Sequence, residues 1–175
     1  MRRLLGAAAS CLVLAACSGT TGGDLPPTGG AGTITVTSPD FADGESIPAE
    51  FTCDGADTPP VIEWSGATEP GSIVVLMTDP DAGGFVHWLL YNLGGESGSV
   101  GGTSDAGVAG HNDFGTNGYR GPCPPGGDSP HHYVITVYQF EPAPSPFAPG
   151  EEAGQVLGGS AVAAGTLTGT YARAG

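Results

Sequence analysis

The chain has 175 residues, with 18 acidic and four basic side chains, a formal net charge of −14 and no lysine. That balance excludes nucleic-acid binding by phosphate neutralisation and adhesion to anionic lipid through a basic patch, and without lysine no P-loop can form. Any anion site must therefore use histidine, Arg120 and backbone N–H groups.

The N-terminus, MRRLLGAAASCLVLAAC, places two arginines before an apolar stretch too short to span a bilayer. Its last four residues, Leu14-Ala15-Ala16-Cys17, resemble the bacterial lipobox, in which cleavage precedes the cysteine and its sulfur takes a diacylglyceryl group. Residues 1–16 are thus expected to be a lipoprotein signal peptide and Cys17 the lipidated residue, on the outer face of a bacterial membrane. Residues 17–32, rich in Gly, Thr and Pro, read as a flexible tether. Residues 33–175 fit a single domain.

Within that domain, TITVT at Thr33–Thr37 alternates as a first strand, and the segment from Pro39 to Pro60 is rich in turn residues before a short strand at VIEW. SIVVLMT (72–78) and FVHWLLYNL (85–93) are continuous apolar runs, as in strands buried on both faces, and a hairpin through DPDAGG pairs them most simply. Residues 94–110, GGESGSVGGTSDAGVAG, read as a long flexible loop. YVITVYQF (133–140) is a third strong strand, followed by a Pro-rich connection. Residues 151–157 have the acidic start of a helix, 161–164 suggest a second helical turn, and TLTGTYA (166–172) closes the chain as a strand. The expected fold is mainly β: a large central antiparallel sheet packed with a smaller sheet, with one or two short helices near the C-terminus.

Alternation puts Phe85, His87, Leu89 and Tyr91 on one side of their strand and Val86, Trp88 and Leu90 on the other. It likewise groups His131 with Tyr133 and turns His132 away. His87, His131 and Tyr133 can then form a pocket with Asp79 and Asp81, whose carboxylates would orient the imidazoles and keep one protonated toward an anion. Equally, the Asp79-Pro80-Asp81 carboxylates could only cap local N–H groups, and His87 could be an ordinary core histidine. Cys53 and Cys123 remain after the signal and the lipidation site are set aside; they form either a disulfide, the default in an oxidising compartment, or two buried free thiols. No HExxH, CxxC or GxSxG spacing occurs, so neither a zinc site nor a serine nucleophile elbow is indicated.

Four segments in order, FTCDGADTPPVIEW, TDPDAGGFVHWLLYNL, NDFGTNGYRGPCPPGGDSPHHYVITVYQF and GTLTGTYAR, resemble the phosphatidylethanolamine-binding protein family, specifically its bacterial Raf-kinase-inhibitor-like branch. The resemblance runs from about residue 33 to 173 and implies a small anion cavity at one end of the large sheet, taking phosphate, acetate or a phosphoethanolamine headgroup. It assigns the family's paired aspartates to Asp79 and Asp81, its histidine before Trp to His87, its Gly-Pro turn to Gly121 and Pro122, and its histidine and tyrosine to His131 and Tyr133. On this reading the Gly121 N–H faces the anion. Two departures stand out: His132 replaces the usual arginine, and Gly83 replaces a proline beside the second aspartate. The implied function is a membrane-anchored extracytoplasmic protein that binds a phosphate-bearing small molecule or phospholipid headgroup without turnover, and no cofactor or metal. Alternatives are an inhibitor or docking module for a protease- or kinase-like protein partner, and a hydrolase. The last would need a nucleophile near His87 or His131, where Cys123 is the sole candidate.

Overall fold

The three long apolar runs form the centre of the fold because each can bury both of its faces. The computed structural model describes residues 32–68, 71–104, 106–141 and 152–175. The signal peptide, Cys17, nearly all of the tether and the Pro-rich connection lie outside the described residues. Two of the strands, β1 (Gly32–Thr33) and β2 (Thr35–Thr37), replace the single first strand expected from TITVT. The break falls at Ile34, which is buried between the sheets. On one side of it β1 pairs with the C-terminal strand, and on the other β2 pairs into the smaller sheet. There follow a 3-10 turn at Ala49–Phe51, β3 (Ile62–Ser65), β4 (Ser72–Asp79), a 3-10 turn at Pro80–Ala82 and β5 (Phe85–Leu93). The chain continues through β6 (Ser97–Val100), β7 (Val108–Ala109), β8 (His131–Phe140), α1 (Glu152–Leu157) and β9 (Ala163–Tyr171).

The large sheet has the order β1-β9-β8-β4-β5-β7 and the smaller one β2-β3-β6. Every neighbour in both sheets is antiparallel except β1, which runs parallel to β9 at the edge, so the large sheet is mixed rather than purely antiparallel. The expected hairpin of β4 and β5 is present. A core containing Val36, Trp64, Met77, Trp88, Tyr133 and Ile135 fills the space between the sheets. A second apolar cluster, with Leu76, Leu89, Tyr138 and Val156 of α1, covers the opposite face of the large sheet. Burial on both faces explains why the β4 segment reads as a continuous apolar run.

Two further expectations are corrected. The Gly-rich segment 94–110 contributes β6 and β7. Its Gly98 pairs with Trp64, and a Cβ at Gly98 would lie 2.3 Å from Trp64 Cζ2, so the indole packs where only a glycine leaves room. Residues 163–164 belong to β9 rather than a second helical turn, because β9 pairs with β8 from Gln139↔Ala163 through His131↔Tyr171 and that ladder satisfies its backbone.

Candidate functional site

The antiparallel order brings the C-terminal end of β4 beside the N-terminal ends of β5 and β8. Asp79, His87, His131 and Tyr133 therefore meet at one end of the large sheet, on the side facing the smaller sheet. His87 reaches that side through a β-bulge. Val86 sits opposite Thr78 and Trp88 opposite Met77, which leaves His87 as the extra residue. The bulge resets the alternation: Trp88 and Leu90 enter the core that also holds Tyr133, while Leu89 lies with Val86 on the far face. The expectation that His87, Leu89 and Tyr91 share one side is thus overturned; His87 instead packs its ring edge-on against Tyr133, centroids 5.2 Å apart.

These four side chains form the polar floor of a cavity of about 180 Å³. Its walls are Ala82, Phe85, Phe114, Cys123, Pro124 and Pro125, of which the sequence marks only Cys123, as a candidate thiol. Asp79 is 3% exposed; its Oδ2 accepts a 2.7 Å hydrogen bond from His131 Nδ1 and its Oδ1 accepts from the Ala82 N–H at 3.0 Å. The bond to Asp79 raises the His131 pKa above the ordinary value of 6.5, with the field of Asp79 adding to it. His87 behaves oppositely. Burial lowers its pKa, against the raising effect of the Arg120 carbonyl and the Asp79 charge. Its Nδ1 donates to the carbonyls of Arg120 (2.8 Å) and Gly121 (3.2 Å), so in the neutral ring the lone pair is on Nε2. The Tyr133 hydroxyl is fully buried; it lies within reach of the Asp79 carboxylate and the Cys123 backbone, but among the described residues it makes no hydrogen bond of good geometry. Burial first, and the Asp79 charge second, raise its pKa and hold it as a donor.

The other expected site residues serve elsewhere. Asp81 accepts from the His132 N–H (2.7 Å) and His132 Nδ1 (2.9 Å), which lowers its pKa. It fixes the start of β8 and lines a neighbouring open hollow with Asp128 rather than the cavity. The Gly121 N–H donates to Asp57 Oδ1 at 2.7 Å and so does not face the cavity, and the Pro122 carbonyl accepts from the Cys53 N–H. The rigid turn orients His87 through carbonyls, a role opposite in polarity to the expected one. Cys53 and Cys123 form a disulfide, which removes the thiol that a hydrolase would use. Gly83 closes the Pro80–Ala82 turn at φ 74°, a conformation proline cannot adopt, so the wall at Ala82 follows a different backbone path from a proline-bearing turn. Among the described residues no group of three or more His, Cys, Asp or Glu is placed to hold a metal ion.

Of the wall residues, Phe114 had the weakest sequence signal, since it sits in a Gly-rich loop with no periodicity; only its position between Asn112-Asp113 and Gly115 hints at a fixed turn.

The family model for phosphatidylethanolamine-binding protein matches residues 37–172. Among similar curated proteins, "Putative lipoprotein LppC" of Mycobacterium tuberculosis is 38% identical over 151 residues, covering 83% of this chain and 75% of that one. A UPF0098 protein of Aquifex aeolicus is 35% identical, covering 82% and 91%. Among solved structures, Escherichia coli YbcL superposes with a TM-score of 0.71 at 29% identity, covering 79% of this chain and 98% of that one. The homolog CT736 of Chlamydia trachomatis gives 0.69 at 29% identity, covering 81% and 97%. With a family model spanning most of the chain and the same fold in its structural neighbours, this chain belongs to the phosphatidylethanolamine-binding protein family.

Proposed function

We propose that the chain is a non-catalytic binding protein whose cavity holds a small phosphate-bearing headgroup, tethered by a lipid at Cys17 to the extracytoplasmic face of a membrane. The observation that carries the reading is the convergence of the Asp79–His131 pair, the His87 ring and the buried Tyr133 hydroxyl on one small cavity. A singly protonated phosphate monoester matches this set: its O–H can donate to His87 Nε2, while its other oxygens accept from Tyr133 and from protonated His131. Among the described residues no lysine or arginine lines the cavity, so binding strengthens as pH falls toward the range in which the ester and His131 both carry the proton. The disulfide leaves no thiol in the cavity, which supports binding over turnover. Tethering is supported by the lipobox-like LAAC and by the relative named as a lipoprotein.

Calorimetric titration with inorganic phosphate and O-phosphorylethanolamine tests the pocket: saturable binding abolished in His87→Ala and Asp79→Ala is expected, and undiminished binding in both variants would place the ligand elsewhere. Incorporation of a clickable fatty acid into cells expressing the protein, lost in Cys17→Ala, tests the anchor.

A further inference from the structure

Phe114 is one of the few large apolar side chains left open to solvent, 41% exposed, and it lies at the rim of the cavity. It is held there by a loop built for the purpose. Buried Asn112 uses its whole amide, donating to Thr116 Oγ1 and the Gly118 carbonyl and accepting from the Phe114 and Thr116 N–H groups. Asp113 exchanges two bonds with the Val86 backbone, its N–H donating at 3.0 Å and its Oδ2 accepting at 2.7 Å. These fix the ring edge-on to Phe85 (centroids 4.9 Å) and His87 (5.3 Å). The outer side carries the Arg120 guanidinium, 5.6 Å from the ring centroid and paired with Asp57. The ring is rigidly presented and 41% exposed beside a polar floor.

We infer that the ligand is a phosphate ester whose first substituent is apolar, an aryl or branched alkyl group, and that Phe114 is the specificity-determining residue on which that group rests. The inference rests on the phosphate-binding reading above. With the phosphate against His87, His131 and Tyr133, an ester group meets the remaining lining of the cavity, which includes the side chains of Phe85, Phe114, Pro124 and Pro125, none of which carries a hydrogen-bonding group. An ethanolamine group would make at most a cation–ring contact with Phe85 or Phe114, whereas a phenyl ring would cover the open part of Phe114. Covering that surface and stacking on it corresponds to about tenfold in affinity.

The test is calorimetric titration of the purified protein with inorganic phosphate, O-phosphorylethanolamine and phenyl phosphate, in the natural chain, Phe114→Ala and Phe114→Trp. Circular dichroism and thermal melting check that the variants are folded. The inference predicts that phenyl phosphate binds about tenfold more tightly than phosphate, that Phe114→Ala reduces this ratio to less than about threefold, and that Phe114→Trp retains it. Phosphate binding with no phenyl advantage, or an advantage that survives Phe114→Ala, overturns the inference and leaves the phosphate reading standing. Tighter binding of O-phosphorylethanolamine than of phenyl phosphate also overturns it, in favour of a lipid headgroup. Failure of all three ligands overturns both.

Discussion

Replacing Asp79 with Asn tests the electrostatics of the site with little change of shape. The amide oxygen can still accept from the Ala82 N–H, so the Pro80–Ala82 turn is retained, but the charged acceptor 2.7 Å from His131 Nδ1 is lost. Both side chains are mostly buried, 4% and 15% exposed, and a hydrogen bond to a charged group in such a place contributes about 1.5–3 kcal/mol. Asp79→Asn is therefore expected to lose about 1.5–3 kcal/mol of stability in urea unfolding near pH 6. The pH dependence has a defined sign. Because the folded-state pKa of His131 is raised, its contribution is complete below the unfolded value of 6.5 and is lost as pH rises through the folded pKa. The difference between natural protein and variant should shrink across that window. The same variant should bring the His131 titration, followed by NMR, down from its raised position. A stability loss below about 0.5 kcal/mol together with an unmoved His131 titration would refute the assignment of Asp79 as the partner that charges His131.

Three further outcomes follow from other parts of the fold. His87 has a lowered pKa through burial, so its contribution is present above 6.5 and lost as pH falls through its folded pKa; His87→Gln should flatten that acid limb of the stability curve, measured by chemical denaturation across pH. The Cys53–Cys123 bridge closes a sequence separation of 70 residues. Its double serine variant should lose up to about 4 kcal/mol in guanidinium unfolding and bind phosphate more weakly, since Cys123 is part of the cavity wall. Gly98→Ala forces a methyl group against the buried Trp64 ring and should cost about 1–3 kcal/mol, with a shift in indole fluorescence.

The central strands were legible because β4, β5 and β8 are rich in β-branched, aromatic and other apolar residues over most of their length, a pattern that survives without knowledge of their partners. Asp79, Asp81, His87, His131 and Tyr133 were legible as a group from alternation in β5 and β8 and from the family resemblance, and of these the structure brings Asp79, His87, His131 and Tyr133 together at one cavity while Asp81 lines the neighbouring hollow. What alternation could not reveal was an insertion into it: the bulge at His87 changes no residue type, yet it sends Leu89 and Trp88 to faces opposite to those expected. The direction of the Gly121 N–H was hidden for a different reason, since its acceptor, Asp57, lies 64 residues away. Strand β6 was hidden because Ser-Gly-Ser-Val has little intrinsic strand preference; its place is set by the Trp64 ring, which needs a glycine opposite. Phe114 escaped notice because nothing local marks a loop aromatic as part of a wall formed by four separate segments.

The most direct measurement of the central claim is an NMR titration of the protein with inorganic phosphate and O-phosphorylethanolamine, observing the ring nitrogens of His87 and His131. Saturable shifts at both histidines, with His132 unmoved because it is turned outward onto Asp81, are the predicted result. No shift at either histidine at millimolar ligand would contradict the account and show that the cavity does not receive a phosphate group.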